Sequence, residues 1–408
     1  MKSRFLIVWF LFGGWMLGMT QNLNWLLTQA ANRNPDLKAI QYAYEAQRQR
    51  IAPAGALSDP EIGVGLFPMP MQRWMGRQWV DISLRQKFPW KGTLPAAQTV
   101  EEKKADGVLR KYDQLKAEIF YQIKQEWWSL QLMAFKAEVL EKHLNLIAVL
   151  KDLAEEKIAN NLLPTGQFIE LKLQENERIN QLETINQQMV VAQLNIIQLT
   201  QASDWVFEPL DEWNWPSFPE EALSEFASSN PEMQVNRNEM GVYESLEHWN
   251  KLKSKPSFGV GLQYSLMSKV DRPDLNPKMN GMDMLMPMAT ISVPINQKKY
   301  HAAVQEMKWY QRSKEETLES LSDYFSTQIQ TNLLNYQNAD RNLKYYQTQT
   351  SLLEDLAELQ IAAFANGTGS LEMVMSTRQR LLDLQIKTLE TKWEAEQIIF
   401  EVEKILGR

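Results

Sequence analysis

Three histidines, His143, His248 and His301, nineteen methionines and no cysteine are the chain's supply of soft or borderline metal donors. The histidines stand far apart and lack the i, i+4 spacing by which one helix presents two imidazoles to an ion. They read as residues on the surfaces of long helices, and no metal centre is expected from them. The methionines do cluster, as Met69, Met71 and Met75 in one short stretch and Met279, Met282, Met284, Met286 and Met288 in another, each in or beside a loop between strands. Thioethers suit Cu(I) or Ag(I), and the same flexible side chains fill irregular apolar surface. Both readings stay open. Gly63-Val64-Gly65 has neither the third glycine nor the following helix of a nucleotide-binding fingerprint, and no phosphate-binding loop is present. No nucleophile stands out beside a base, so the chain reads as a non-enzyme that needs no cofactor.

The elements that carry these residues must be long. The chain has 408 residues but only 17 glycines and 17 prolines to punctuate it. With 43 basic and 50 acidic residues its net charge of −7 excludes a polybasic nucleic-acid binder. Lys2 and Arg4 precede an apolar stretch from Phe5 to Leu17 and the small residues around Gly18 and Thr20. That is the outline of a signal peptide over residues 1–20, too short to span a bilayer. The mature protein would begin near Gln21, and no later segment is a continuous apolar span.

Asn34-Pro35 recurs as Asn230-Pro231, and Gly63-Val64-Gly65-Leu66 recurs, at the same offset, as Gly259-Val260-Gly261-Leu262. Ile82-Ser83 and Thr165-Gly166 return later as Ile291-Ser292 and Thr368-Gly369 in the same order. The chain is therefore read as two structural repeats, 21–202 and 220–408, joined by a tryptophan-rich connector, 203–219. Each repeat predicts a helix (22–52 and 220–252), two short strands, a very long helix (96–160 and 298–364), a tight turn and a return helix (167–202 and 370–406). Val108, Tyr112, Leu115, Ile119, Ile123, Trp127 and Leu130 keep the helical period, and about 65 residues of helix make a rod of about 100 Å.

The strands alternate. Ile62, Val64 and Leu66 face one way and Gly63 and Gly65 the other; Val80, Ile82 and Leu84 oppose Asp81, Ser83 and Arg85. Phe258, Val260 and Leu262 oppose Gly259, Gly261 and Gln263, while Ile291 and Val293 flank Ser292. Such segments fit transmembrane barrel strands with an apolar outer face, and aromatic flanks at Phe67, Trp79, Phe88 and Trp90 suit the membrane interface. A half-buried soluble sheet has the same alternation. Four strands cannot close a barrel, whose smallest form has eight, so the membrane reading requires several copies.

Taken together, these features resemble the TolC-type outer-membrane factor family, the exit ducts of bacterial efflux and type I secretion systems. The stretches that carry the resemblance are Asn34-Pro35-Asp36-Leu37, Gln86-Lys87-Phe88-Pro89-Trp90-Lys91-Gly92, Leu163-Pro164-Thr165-Gly166 and Asn366-Gly367-Thr368-Gly369. The methionine pattern is closer to the heavy-metal branch (CusC- and CzcC-like) than to the drug-efflux branch. The resemblance implies a mainly α fold with a small β part, in which long antiparallel helical hairpins form an α-barrel and four strands contribute to a trimeric, twelve-stranded transmembrane β-barrel. It implies a homotrimer in the outer membrane of a Gram-negative bacterium, with its helical part in the periplasm. Its partners would be a periplasmic adaptor (membrane fusion protein), an inner-membrane transporter and outer-membrane lipid, with no nucleic acid. Heavy-metal cations are one candidate cargo. Thr165, Gly166, Thr368 and Gly369 would be the adaptor-contacting tips, glycine permitting a left-handed turn and close approach there, and Glu170 and Glu372 a candidate entrance ring. The rival is a secreted coiled-coil structural or adhesion protein without channel activity.

Overall fold

The computed structural model describes residues 23–271 and 278–408. The expected signal peptide, 1–20, lies outside them. In chain order the elements are α1 (Leu23–Arg33), α2 (Pro35–Arg48), α3 (Ile51–Ala54), β1 (Glu61–Arg73), β2 (Gly76–Phe88), α4 (Thr93–Ala159), α5 (Thr165–Thr200), α6 (Ala222–Ser229), α7 (Pro231–Lys253), β3 (Ser257–Ser268), β4 (Met284–Ser292), α8 (Gln297–Ala365) and α9 (Leu371–Leu406). A strand pair, a long helix and a return helix thus occur twice. The long helices have 67 and 69 residues and the return helices 36 each. Among the described residues no helix is long and apolar enough to cross a membrane.

The described chain divides into two compact units, and the division falls within α4 and within α8. One unit holds the residues up to Asn34, Glu118–Phe218 and Leu333–Glu401; the other holds Pro35–Ala117, Pro219–Asn332 and Val402–Arg408.

The expected single helices over 22–52 and 220–252 are each broken at the Asn-Pro pair. Proline has no N–H for the preceding turn but is well suited to open a helix, and asparagine is a good cap. Asn230 Oδ1 accepts from the Met233 N–H at 2.8 Å. The spare amide is used alike in both repeats. Asn34 Nδ2 donates to the Leu199 carbonyl and Asn230 Nδ2 to the Ile405 carbonyl, both at 2.9 Å. Each acceptor is the last residue but one of a return helix, where carbonyls lack partners in their own helix. Both asparagines are buried, so each repeated Asn-Pro both starts a helix and anchors the end of another.

The four strands form one antiparallel sheet in the order β1-β2-β3-β4, which leaves β1 and β4 at its edges. β1 continues to Arg73 rather than stopping near Phe67, although Pro68 and Pro70 interrupt it. An edge strand tolerates proline because half of its N–H groups have no partner to lose, and the register with β2 shifts between Leu66 and Met71. β4 begins at Met284, so Met284, Met286 and Met288, expected in or beside the loop, lie within the strand, while Val293 lies just beyond it.

Candidate functional site

The register aligns the apolar residues of all four strands in rows. Val64 pairs with Ile82, Ile82 with Tyr264 and Tyr264 with Leu285. The next row runs Ile62, Leu84, Leu262, Pro287, and a third joins Phe88, Phe258 and Ile291. Leu66 and Val80 continue the face on the first strand pair. Val260 pairs with Gln86, the one polar residue in the rows of this face, and with Ala289. The face is open. Ile62 is 74% exposed and Leu66 70%, and Val64, Ile82, Leu84, Phe258, Val260, Leu262 and Ile291 are exposed as well. The opposite face carries Gly63, Ser83, Gln263 and Met286 in one row and Gly65, Asp81, Ser265 and Met284 in another. Asp81 accepts there from Gln263 Nε2 at 2.8 Å. One face is apolar and unburied; the other is polar or small on β1, β2 and β3 and carries methionines on β4, which inverts the arrangement of a soluble sheet packed on a core.

In the other unit, the ends of α4, α5, α8 and α9 share one core. Ile147, Leu150, Ala154, Leu171, Phe364 and Leu371 belong to it. The turns that close the two helix pairs are built alike. Asn161 adopts a left-handed conformation (φ 58°), its N–H bonds the Ile158 carbonyl and the Leu162 N–H bonds that of Lys157. Gly367 (φ 77°) does the same, its N–H reaching Phe364 and the Thr368 N–H reaching Ala363. These are Schellman endings. The left-handed positions are therefore Asn161 and Gly367, and the expectation that Gly166 and Gly369 supply them is corrected. Gly166 lies inside the first turn of α5 with open space around its α-carbon. Gly369 does allow the close approach expected of it, since a β-carbon there would stand 2.8 Å from the Phe364 nitrogen. Thr165, Gly166 and Thr368 are exposed at these turns.

The structure brings Glu170 and Glu372 to one groove of about 500 Å³, whose walls include Gly166, Gln174, Met375 and Arg380. Both glutamates are exposed. Arg380, two turns along α9 from Glu372, puts a cation into the same groove, and sequence reasoning passed over it.

The connector 203–219 has neither helix nor strand but is tied down by tryptophan. Trp213 is 3% exposed and packs on Trp128 at 5.2 Å and Phe135 at 5.7 Å between ring centroids. Its indole N–H donates to Glu396 at 3.3 Å, and Lys392 Nζ donates to its carbonyl at 2.7 Å.

The chain matches no protein-family model and no curated protein sequence. Solved structures do match over nearly the whole chain. The crystal structure of CusC, described through its folding and transmembrane channel formation, superposes with a TM-score of 0.77 at 13% identity, covering 94% of this chain and 91% of that one. The outer membrane protein VceC of Vibrio cholerae gives 0.75 at 13% identity, over 94% and 96%. The open-state MtrE outer membrane channel of Neisseria gonorrhoeae gives 0.73 at 12% identity, over 94% and 88%.

The chain has the fold of these outer-membrane channels.

Within this channel fold His248 and His301 are exposed, as expected, but His143 is not a free surface residue. It lines a cavity of about 540 Å³ with Leu146, Glu354, Arg378 and Leu381. Burial first, then the positive charge of Arg178, pulls its pKa down to about 4; Arg378 adds to this, while its carbonyl and Asp383 oppose it. The sign follows. An unfolded histidine binds a proton near pH 6.5, whereas the folded one does so only near 4, so stability present at neutral pH is lost as the pH falls through that interval. The loss is at most about 1.4 kcal/mol per pH unit and smaller for a partly exposed ring. His143→Gln should flatten the fall in thermal stability between pH 6.5 and 4; an unchanged slope would mean that other groups carry it.

Proposed function

We propose that this protein is a subunit of an outer-membrane exit duct, conducting substrates passively from the periplasm to the exterior of a Gram-negative bacterium, and not an enzyme. The observation that carries the reading is the set of apolar rows crossing all four strands on an unburied face. A soluble protein has no use for such a face, and lipid does. The sheet also has two open edges, which lipid does not tolerate. Closure by further copies removes them, and a homotrimer supplies twelve strands. The likeness to solved outer-membrane channels supports an outer-membrane location, and the resemblance to the TolC-type family is what implies the trimer and places the helices in the periplasm.

In this reading the chain comprises two repeats, 21–202 and 220–408, around the connector 203–219, and each repeat contributes one strand pair and one helix pair. A passive duct draws its energy from elsewhere, hence an adaptor and an inner-membrane transporter. Thr165, Gly166, Thr368 and Gly369 meet the adaptor, and opening is a movement of the tip helices against one another. Glu170 and Glu372, repeated threefold, line the entrance and favour cations. Glu372→Gln should lower cation-over-anion selectivity in a planar bilayer by roughly twofold; identical selectivity would remove the residue from the entrance. The location is tested by fractionation. The protein should co-sediment with the outer membrane and elute, in detergent, with the protein mass of three 47.4 kDa chains less their leaders. A soluble elongated monomer would support the coiled-coil alternative.

A further inference from the structure

At the foot of the sheet, where β2 leads into α4 and β4 into α8, lies a cavity of about 450 Å³ whose walls include Trp90, Thr93, Lys253, Lys255, Ile295 and Lys299. Its lining contains three lysines and no carboxylate. Among the described residues none of these ammonium groups has an acidic partner. Lys253 lies over the Trp249 ring at 4.1 Å and Lys299 over the Tyr300 ring at 4.7 Å, contacts that hold a cation without neutralising it. Thr93 is only 8% exposed, and its hydroxyl has no hydrogen-bond partner, an arrangement that costs free energy until something accepts or donates there. Two long helices start at the cavity, at Thr93 and Gln297, and neither has an acid in its first turn to offset its dipole. Every charge at the site is positive, so its ligand is an anion.

The surroundings identify which anion. Val293 is 59% exposed and Ile295 90%. Trp90 stacks on Phe258 at 6.0 Å, and Phe258 belongs to the apolar face of the sheet. The lysines therefore sit where that face ends, at the level of headgroups if the face is in lipid. A free phosphate gains nothing from Ile295 and Val293, whereas acyl chains do.

We propose that this cavity binds the phosphate of an anionic phospholipid whose acyl chains lie along the apolar sheet face. The inference rests on the membrane reading of that face. Native mass spectrometry of the full-length protein in detergent tests it, with phosphatidylglycerol, phosphatidylcholine and inorganic phosphate as probes. Phosphatidylglycerol should bind roughly tenfold or more tightly than phosphatidylcholine, and equimolar phosphate should not displace it. The triple variant K253Q/K255Q/K299Q should lose that preference. Thr93→Val should weaken phosphatidylglycerol by roughly threefold and leave phosphatidylcholine unchanged. Equal binding of phosphatidylglycerol by the native protein and the triple variant overturns the proposal, as does displacement by phosphate, which marks a free-anion site. Bilayer recording of the same preparation separates the two layers of the argument. Conductance without lipid preference removes the lipid site and leaves the duct; lipid preference without conductance removes the duct and leaves the site.

Discussion

If the apolar sheet face lies in lipid, as proposed, Ile82→Lys should remove the protein from the outer membrane, while Ser83→Lys, one residue along and on the other face, should leave it there. Ile82 sits in the middle of the row from Val64 to Leu285, with apolar neighbours on both sides. A lysine at the bilayer midplane costs about 2–4 kcal/mol in a barrel. In a trimer the cost is met three times in one closed structure, so the effect on assembly is cooperative. Ser83 pairs with Gly63 and Gln263 on the polar face, where a lysine remains in water. The measurement is the amount of heat-modifiable trimer in outer-membrane fractions. If both variants assembled equally well, the exposed face would not be in lipid.

Trp213→Ala has the next largest effect, a loss of about 3–5 kcal/mol. Three contributions disappear together. The cavity left beside Trp128 and Phe135 is large, the tilted ring contacts with both are lost, and Glu396, only 5% exposed, loses the indole donor. Trp213→Phe keeps the packing and loses the hydrogen bond, so it should cost about 1–3 kcal/mol. Thermal dissociation of the purified protein distinguishes them. A Trp213→Ala protein as stable as the original would mean that the connector rests on the helices without holding them.

Much of this fold was legible because proline and glycine are scarce and therefore informative. Pro95, Pro164 and Pro294 bracket the long helices, and the expected ends fall within three residues of those observed for α4, α5, α8 and α9. The alternation of Ile62, Val64 and Leu66 against glycine put the three on one face of β1, in line with the pairing to Leu84, Ile82 and Val80. What was hidden depends on partners distant in sequence. Helical pattern continues on both sides of Asn34-Pro35 and Asn230-Pro231, so the breaks become evident only when Leu199 and Ile405 are seen to accept from the two amides. Pro68 and Pro70 read as a loop because a sequence does not say which strand is at an edge. Met284, Met286 and Met288 could be placed only in or beside a loop; they lie in β4, the other edge strand, which includes Pro287. At the tips the glutamates and threonines were nameable, but Thr-Gly drew attention away from Asn161 and Gly367. A left-handed residue one place beyond a helix is fixed by where the helix ends, and that is the least certain boundary in any sequence. His143 was misjudged for the same reason that makes its pKa unusual, because Arg178 and Arg378 come to it from other helices.

The central claim is that copies of this chain enclose a water-filled path through a membrane. Planar-bilayer recording of the purified full-length protein tests it most directly. Stepwise, persistent ion conductance that is absent from an equal amount of the Ile82→Lys protein is the predicted result. A native protein that leaves the bilayer insulating, under conditions where its trimer is intact, would contradict the account.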